Sequence, residues 1–384
     1  MANVFLTPNY ICMGEGALGL SKEQMRKLGT KALIVTDASM IKLNNVRKLT
    51  DLLNELQIGY EIYSDVNCEP TTQMVEAGLE IYRSTGCDFL IGLGGGSPID
   101  AMKAIGAVIG NGGDICDYIG KPLIHPMPPN VSIPTTAGTG TEASKASVIT
   151  NTKTNVKMLL NDPKLITDVA IVDPEFTLTA PPAVTAATGI DALTHAIEAY
   201  ISKRAFMMSD TYAVSAIKRI FANLYEVYLN GQNIHARNQM AVASLEAGIS
   251  FTNSSVTLVH GMSRPIGALF HVPHGLSNAM LLCKCLEFVK PYVIDRLSSL
   301  AREIGVYQTG MSDADAADAF VEATKDLCRK LNIQTPAEYG ISREEFFSAM
   351  DKMATDALAS GSPGNSRIPP TKEDLLNIYR SLWD

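Results

Sequence analysis

The stretch IGLGGGSPIDAMKAIG, residues 91–106, reads as an apolar strand, a turn of three consecutive glycines and a helix. Gly94, Gly95 and Gly96 carry no Cβ, so the backbone of that turn can approach a phosphate closely. Ser97 is placed to cap the helix and Pro98 suits its first turn. Free N–H groups and the positive end of the helix would then face the anion. The spacing is not G-x-G-x-x-G and no Walker lysine follows, so a tight turn needed only for packing is the competing explanation.

On both sides of this unit, short β-rich runs alternate with helical ones. KALIVTD (31–37), GYEIYSDV (59–66), DFLIGLGGGS (88–97), VSIPTT (131–136) and DVAIVDP (168–174) read as strands, and TTQMVEAGLEIYRSTG (71–86) as a helix with a glycine stop. Such alternation predicts a mostly parallel sheet covered by helices. After about residue 183 the strand signal fades and helical periodicity takes over, from PAVTAATGIDALTHAIEAYIS (182–202) to DADAADAFVEATKDLCRKLN (313–332). The boundary falls at Ala180, Pro181 and Pro182, where two prolines interrupt regular hydrogen bonding. The expected fold is an α/β domain over residues 1–181 followed by an all-α domain over 182–384.

The 384 residues carry a net charge of −8 and no long basic block, which argues against nucleic acid and anionic membrane as partners. No apolar run is long enough to span a bilayer, and the N-terminus MANVFLTPNY lacks a basic region followed by an apolar core. These features predict a cytoplasmic protein. Seven scattered cysteines fit reduced thiols, and Cys283-Lys284-Cys285 reads as packing rather than a metal or redox motif.

A second loop, IPTTAGTGTEAS (133–144), offers hydroxyls and amides after another strand, for the diphosphate or the nicotinamide ribose; a surface turn accounts for it equally well. Asp37 ends the first predicted strand of the sheet. A carboxylate there can accept from ribose hydroxyls and would repel a 2′-phosphate, which predicts NAD over NADP; an ordinary helix cap is the alternative.

In TGIDALTHAIEAY (188–200), Asp191 and His195 lie four apart on one helix face, where they can share a divalent ion. Alone, the pair is accounted for by a local hydrogen bond. The distant segment HGMSRPIGALFHVPH (260–274) holds three of the six histidines, His260, His271 and His274, the last in a Pro-His-Gly turn. One aspartate and three histidines make a nitrogen and oxygen site suited to Fe²⁺ or Zn²⁺ with room for substrate.

The glycine loop, GTGTEAS (138–144), DALTHAIEAY (191–200) and the 260–274 segment, in this order and at these intervals, resemble the iron-containing (group III) alcohol dehydrogenases nearly end to end, including propanediol oxidoreductase and related aldehyde reductases. The resemblance implies a nucleotide-binding α/β domain, a helical domain and a cleft between them. It implies a metal, Fe²⁺ foremost and Zn²⁺ next, held by Asp191, His195, His260 and His274. It places nucleotide contacts on Asp37, Gly94, Gly95, Gly96, Ser97, Asp100, Thr135, Thr136, Thr139 and Lys157, puts Phe251 in the substrate pocket, and implies a homodimer.

Departures from the family pattern cluster around the expected pocket. Relatives often read His-Gly-x-x-His; here the second histidine is Arg264. His271 stands where relatives have Asn or His. Asn365-Ser366-Arg367 replaces Asn-Pro-Arg, and the small-residue loop ASGSPGN (359–365) stands where some relatives have a cysteine.

The expected chemistry is reversible hydride transfer between NAD(H) and a small aldehyde or primary alcohol, with His271 as a proton relay or a mere pocket wall. Arg264 either pairs with a nearby acid or grips a substrate anion, sulfoacetaldehyde being the specific case. Lys145 and Arg367 are possible helpers. The alternative substrates are uncharged, lactaldehyde or a propanediol. A dehydroquinate synthase-like lyase and a non-catalytic nucleotide-binding subunit are the alternatives of other classes.

Overall fold

The computed structural model describes residues 2–154 and 156–383. Six strands form one parallel sheet: β1 (Tyr10–Met13), β2 (Lys31–Val35), β3 (Gly59–Tyr63), β4 (Phe89–Gly94), β5 (Asn130–Pro134) and β8 (Val169–Val172). Their order across the sheet is β1-β8-β5-β4-β2-β3. Strands β6 (Ala146–Asn151) and β7 (Val156–Asn161) form a separate antiparallel pair, which the sequence pattern did not announce; neither did it announce the edge strand β1.

Both faces of the sheet are apolar because the strands carry hydrophobic residues at successive positions. Leu33 and Val35 enter one core with Leu90, while Ala32 and Ile34 enter the opposite core with Phe89 and Ile91. Helices α1 (Thr72–Thr85) and α2 (Gly96–Asn111) cover the first face. Thr71 caps α1 by accepting from Met74 N, and Gly86 ends it in the left-handed region. The chain runs from β2 to β3 on one side and from β4 to β5 on the other, so the strand order reverses between β2 and β4. Ligands of such sheets bind outside the carboxyl ends at that reversal, where Asp37 and the glycine turn emerge.

The helical unit is built around α3 (Pro182–Ile201), whose second half is buried on all sides. Against α3 pack α4 (Met207–Leu229), α5 (Ile234–Asn253) and α7 (His274–Val289), and α6 (Leu258–Phe270) packs on α7. Pro182 opens α3 at a position where a missing N–H costs nothing.

The compact units are Leu6–Ala180 and the chain from Pro181 onward. The stretch before Leu6 groups with the helical unit. Phe5 stacks on Tyr212 with ring centroids 5.7 Å apart and meets Phe206 edge-on. Among the described residues, no helix is long and apolar enough to cross a membrane.

Candidate functional site

In the α/β unit, β4 runs into α2 through the glycine turn. The helix begins at Gly96 with Gly95 as the extended cap residue, and no side chain caps it. Ser97 is thus the second helical residue rather than the cap; the helix starts earlier than the Ser-Pro pair suggests because glycine tolerates the turn. The amides of the first turn are left to an external acceptor, as an anion site requires. Gly94 has φ +152°, and a Cβ there would lie 2.6 Å from Pro98 Cγ. A Cβ on Gly96 would come 3.2 Å from Thr139 Cγ2, so the two loops touch at this point. Thr135 N donates to Gly94 O (2.9 Å), and the Thr136 hydroxyl faces Gly95.

Three of the expected nucleotide contacts are already engaged within the protein. Asp37 caps the short helix Ala38–Lys42, its Oδ1 accepting from Ser39 N and Met40 N. Asp100 accepts from Thr141 Oγ1 at 2.7 Å and Val148 N at 3.0 Å, so one oxygen braces the second loop and the other braces β6, which follows it. Lys157 pairs with Glu69 at 2.6 Å.

In the helical unit, Asp191, His195, His260 and His274 each offer a ligand atom, and these atoms all lie within 4.8 Å of one another. Asp191 and His195 share one face of α3, as their spacing predicted. His260 comes from the first turn of α6, and His274 opens α7 rather than sitting in a free turn. Asp191 Oδ1 is 3.7 Å from His195 Nδ1, 3.7 Å from His260 Nε2 and 3.9 Å from His274 Nε2. Asp191, His195 and His260 are buried; the His274 side chain is 40% exposed and marks the open side.

The donor set fits a divalent metal. Acceptors on Asp191 Oδ1, His260 Nε2 and His274 Nε2 converge on one point, where Asn278 Nδ2 lies 2.7, 3.1 and 3.2 Å from them. Burial pulls the His260 pKa well down, with the Arg264 charge adding to it, so its imidazole is neutral, the form that binds metal. Burial pushes the Asp191 carboxyl up to about 7; a cation beside it would reverse that.

Two participants escaped the sequence reading. Glu198, buried, accepts from His260 Nδ1 (2.6 Å), Thr257 Oγ1 (2.9 Å) and Val259 N (2.5 Å). Its signal was an acid seven residues after Asp191 in an otherwise apolar helix. Asn278, four residues after His274 on α7, carried no signal beyond that spacing.

Arg264 lies one turn after His260 on α6, as a helical segment requires. Its Nη1 donates to Ser362 Oγ at 2.9 Å, and among the described residues no carboxylate pairs with it; the salt bridge expected as one explanation is absent. Phe251 stacks on His195 with centroids 4.5 Å apart. His271 ends α6 with φ +53°, a region non-glycine residues seldom adopt, and is exposed outside the four-donor cluster. Arg367 is held by Asp295 at 3.0 Å, so it is not a free helper; Lys145 belongs to the α/β unit. Cys285 is buried in the core, as expected, while Cys283 lies 3.8 Å from Cys328.

The sequence model of the iron-containing alcohol dehydrogenases matches residues 8–174, and the C-terminal model of the Fe-containing alcohol dehydrogenase family matches residues 185–383. The chain belongs to the iron-containing alcohol dehydrogenase family. It is an oxidoreductase of the alcohol dehydrogenase and aldehyde reductase type, working with a nicotinamide dinucleotide and a divalent metal. Family membership sets aside the lyase and the non-catalytic readings.

Lactaldehyde reductase of Escherichia coli (strain K12) is 36% identical over 388 residues, covering 100% of both chains. The crystal structure of a 1,3-propanediol oxidoreductase superposes with a TM-score of 0.96 at 35% identity, over 100% of both chains. Sulfoacetaldehyde reductase from Bifidobacterium kashiwanohense, solved in complex with NAD⁺, is a more distant structural neighbour. Its TM-score is 0.86 at 28% identity, over 100% of this chain and 99% of that one.

Proposed function

We propose that this alcohol dehydrogenase reduces a short aldehyde bearing its own anion, with NADH as hydride donor, and that sulfoacetaldehyde is the substrate. The observation that carries this reading is Arg264. A dication held by the four donors would be matched in charge by the two buried carboxylates, Asp191 and Glu198. The Arg264 guanidinium then remains as surplus positive charge beside His260, with one hydroxyl as its hydrogen-bonded partner. A guanidinium with donors to spare suits the forked grip of a sulfonate or carboxylate.

Asp191, His195, His260 and His274 hold the metal, which supplies Lewis-acid polarisation of the carbonyl when bound. The glycine turn, with Thr135, Thr136 and Thr139, holds the dinucleotide. Asp37 keeps its second oxygen for the ribose hydroxyls and favours NADH over NADPH. Phe251, stacked on His195, gives an apolar wall. His271, exposed to solvent, is the candidate donor of the proton that the product oxygen needs. A cytoplasmic homodimer completes this reading, and light scattering of the purified protein measures the second part.

The 36% identity to a lactaldehyde reductase supports a second reading, an uncharged short aldehyde as substrate. NADH oxidation with sulfoacetaldehyde, propanal and lactaldehyde, in wild type and Arg264→Ala, separates the two. The anionic reading requires wild type to prefer sulfoacetaldehyde strongly and Arg264→Ala to lose that preference with its metal content intact. A wild type faster on propanal or lactaldehyde makes Arg264 structural. Chelation followed by repletion with Fe²⁺ or Zn²⁺ identifies the working metal.

A further inference from the structure

A lysine lies fully buried inside the α/β unit, where such a side chain needs a reason. Lys103 sits on α2, the helix whose first turn follows the glycine turn, and none of its surface reaches solvent. Its Nζ donates to two backbone carbonyls of the second loop, Thr141 O at 2.6 Å and Ser144 O at 2.7 Å, and to Ala146 O at the start of β6 at 3.2 Å. Asp100, one turn earlier on α2, holds the same loop by accepting from Thr141 Oγ1 and holds β6, which follows it, by accepting from Val148 N, while Ser147 Oγ donates to Asp100 O at 2.8 Å. One helix therefore presents the phosphate-facing amides at its start and clamps the second loop from its flank.

We propose that Lys103 is a positioning residue for the dinucleotide, acting by holding the loop Thr135–Ser144 against α2. This rests on the reading that the glycine turn and the second loop bind NADH. The chemistry is a count of protons. An ammonium brings three charge-assisted N–H groups to these carbonyls and to the Thr141 and Ser144 hydroxyls; a neutral amine brings two and no charge, so the clamp weakens and the loop loosens. An arginine would remain charged throughout. The charged groups acting on Lys103 are Asp100 on its own helix and Glu142 on the turn Thr141–Ala143; neither Glu142 oxygen has a hydrogen-bond partner among the described residues. Burial brings the Lys103 pKa down to about 8, with Asp100 and Glu142 opposing, so the proton leaves within an accessible pH range.

The test is the dissociation constant of NADH, read by fluorescence titration of the metal-loaded enzyme between pH 7 and 9.5. Wild type is expected to bind NADH less tightly above pH 8, and Lys103→Arg to stay flat. Lys103→Met should weaken NADH at least tenfold at pH 7, with bound metal retained and KM for the aldehyde changed less than twofold. Lys103→Met within twofold of wild type, or a pH dependence that persists in Lys103→Arg, overturns the proposal. Where neither variant folds, a wild-type constant unchanged across the pH range overturns it. Gly96→Val is the control for the underlying reading, because its side chain would crowd Thr139. If Gly96→Val binds NADH normally, the loops are not the nucleotide site. If Gly96→Val fails to bind while Lys103→Met binds well, only the role of Lys103 is lost.

Discussion

Glu198 Oε2 lies 2.6 Å from His260 Nδ1, with both side chains buried. The contact keeps the proton on Nδ1 and leaves the Nε2 lone pair facing Asp191 and His274, the arrangement a metal-binding imidazole needs. The same carboxylate takes Val259 N and Thr257 Oγ1, so it also ties the start of α6 to α3. Glu198→Gln should lower metal affinity about 10- to 100-fold while NADH binding is unchanged. Metal content after competition with a graded chelator checks this, and the d–d spectrum of a Co²⁺-loaded sample reports the altered imidazole. Wild-type affinity in the variant would show the contact to be structural only.

Gly275 sets the distance between α7 and α3. A Cβ there would sit 2.8 Å from Ala187 O and 3.4 Å from Asp191 Cβ. Gly275→Ala should push His274 away from Asp191 and weaken metal binding with all four donors still in the chain. The control is Gly19→Ala, where nothing lies within 4 Å of the added Cβ and metal content should not change. Equal metal affinity in both variants would mean that the helices adjust freely.

Asp37 both caps a helix and faces the strand-order reversal. Asp37→Ser keeps a capping oxygen and removes the charge, so a loss of fold is not expected. The preference for NADH over NADPH, measured as the ratio of kcat/KM values, should narrow or reverse. An unchanged ratio places Asp37 away from the ribose.

Glu142 gives the fold a pH dependence. Burial pushes its carboxyl up to about 7, so between 4.5 and 7 the folded chain keeps a proton that the unfolded chain has released. Its contribution is therefore full below about 4.5, is lost as pH rises to about 7, and stays constant above that. Glu142→Gln cannot ionise, and its stability relative to wild type should climb between pH 5 and pH 7.5 by at most about 3 kcal/mol. Denaturant unfolding at the two pH values measures the difference; a constant offset would mean that Glu142 is already ionised throughout.

Much of the fold was legible because secondary structure has a local period. The runs at 31–37, 88–97 and 168–174 each hold consecutive apolar residues (32–35, 89–91 and 169–172), as strands buried on both faces must, and they became β2, β4 and β8. The β6–β7 pair escaped because each strand is six residues long and carries polar residues, Ser147, Thr150 and Asn151 in β6 and Lys157 and Asn161 in β7, that break up its apolar run. Asp191 and His195 were legible as a pair because four residues make one helical turn.

The sequence by itself determined the donor types, the glycine turn that opens α2, and the order of a sheet-forming half and a helical half. Only the tertiary structure decided that His260 and His274 meet Asp191, that Glu198 orients one of them, and that Arg264 has Ser362 rather than an acid as partner. The reason is one of range. Periodicity within an element depends on residues a few positions apart, whereas the meeting of α3, α6 and α7 depends on how closely their surfaces pack. That closeness rests on details such as a missing Cβ at Gly275, which no spacing in the sequence reveals.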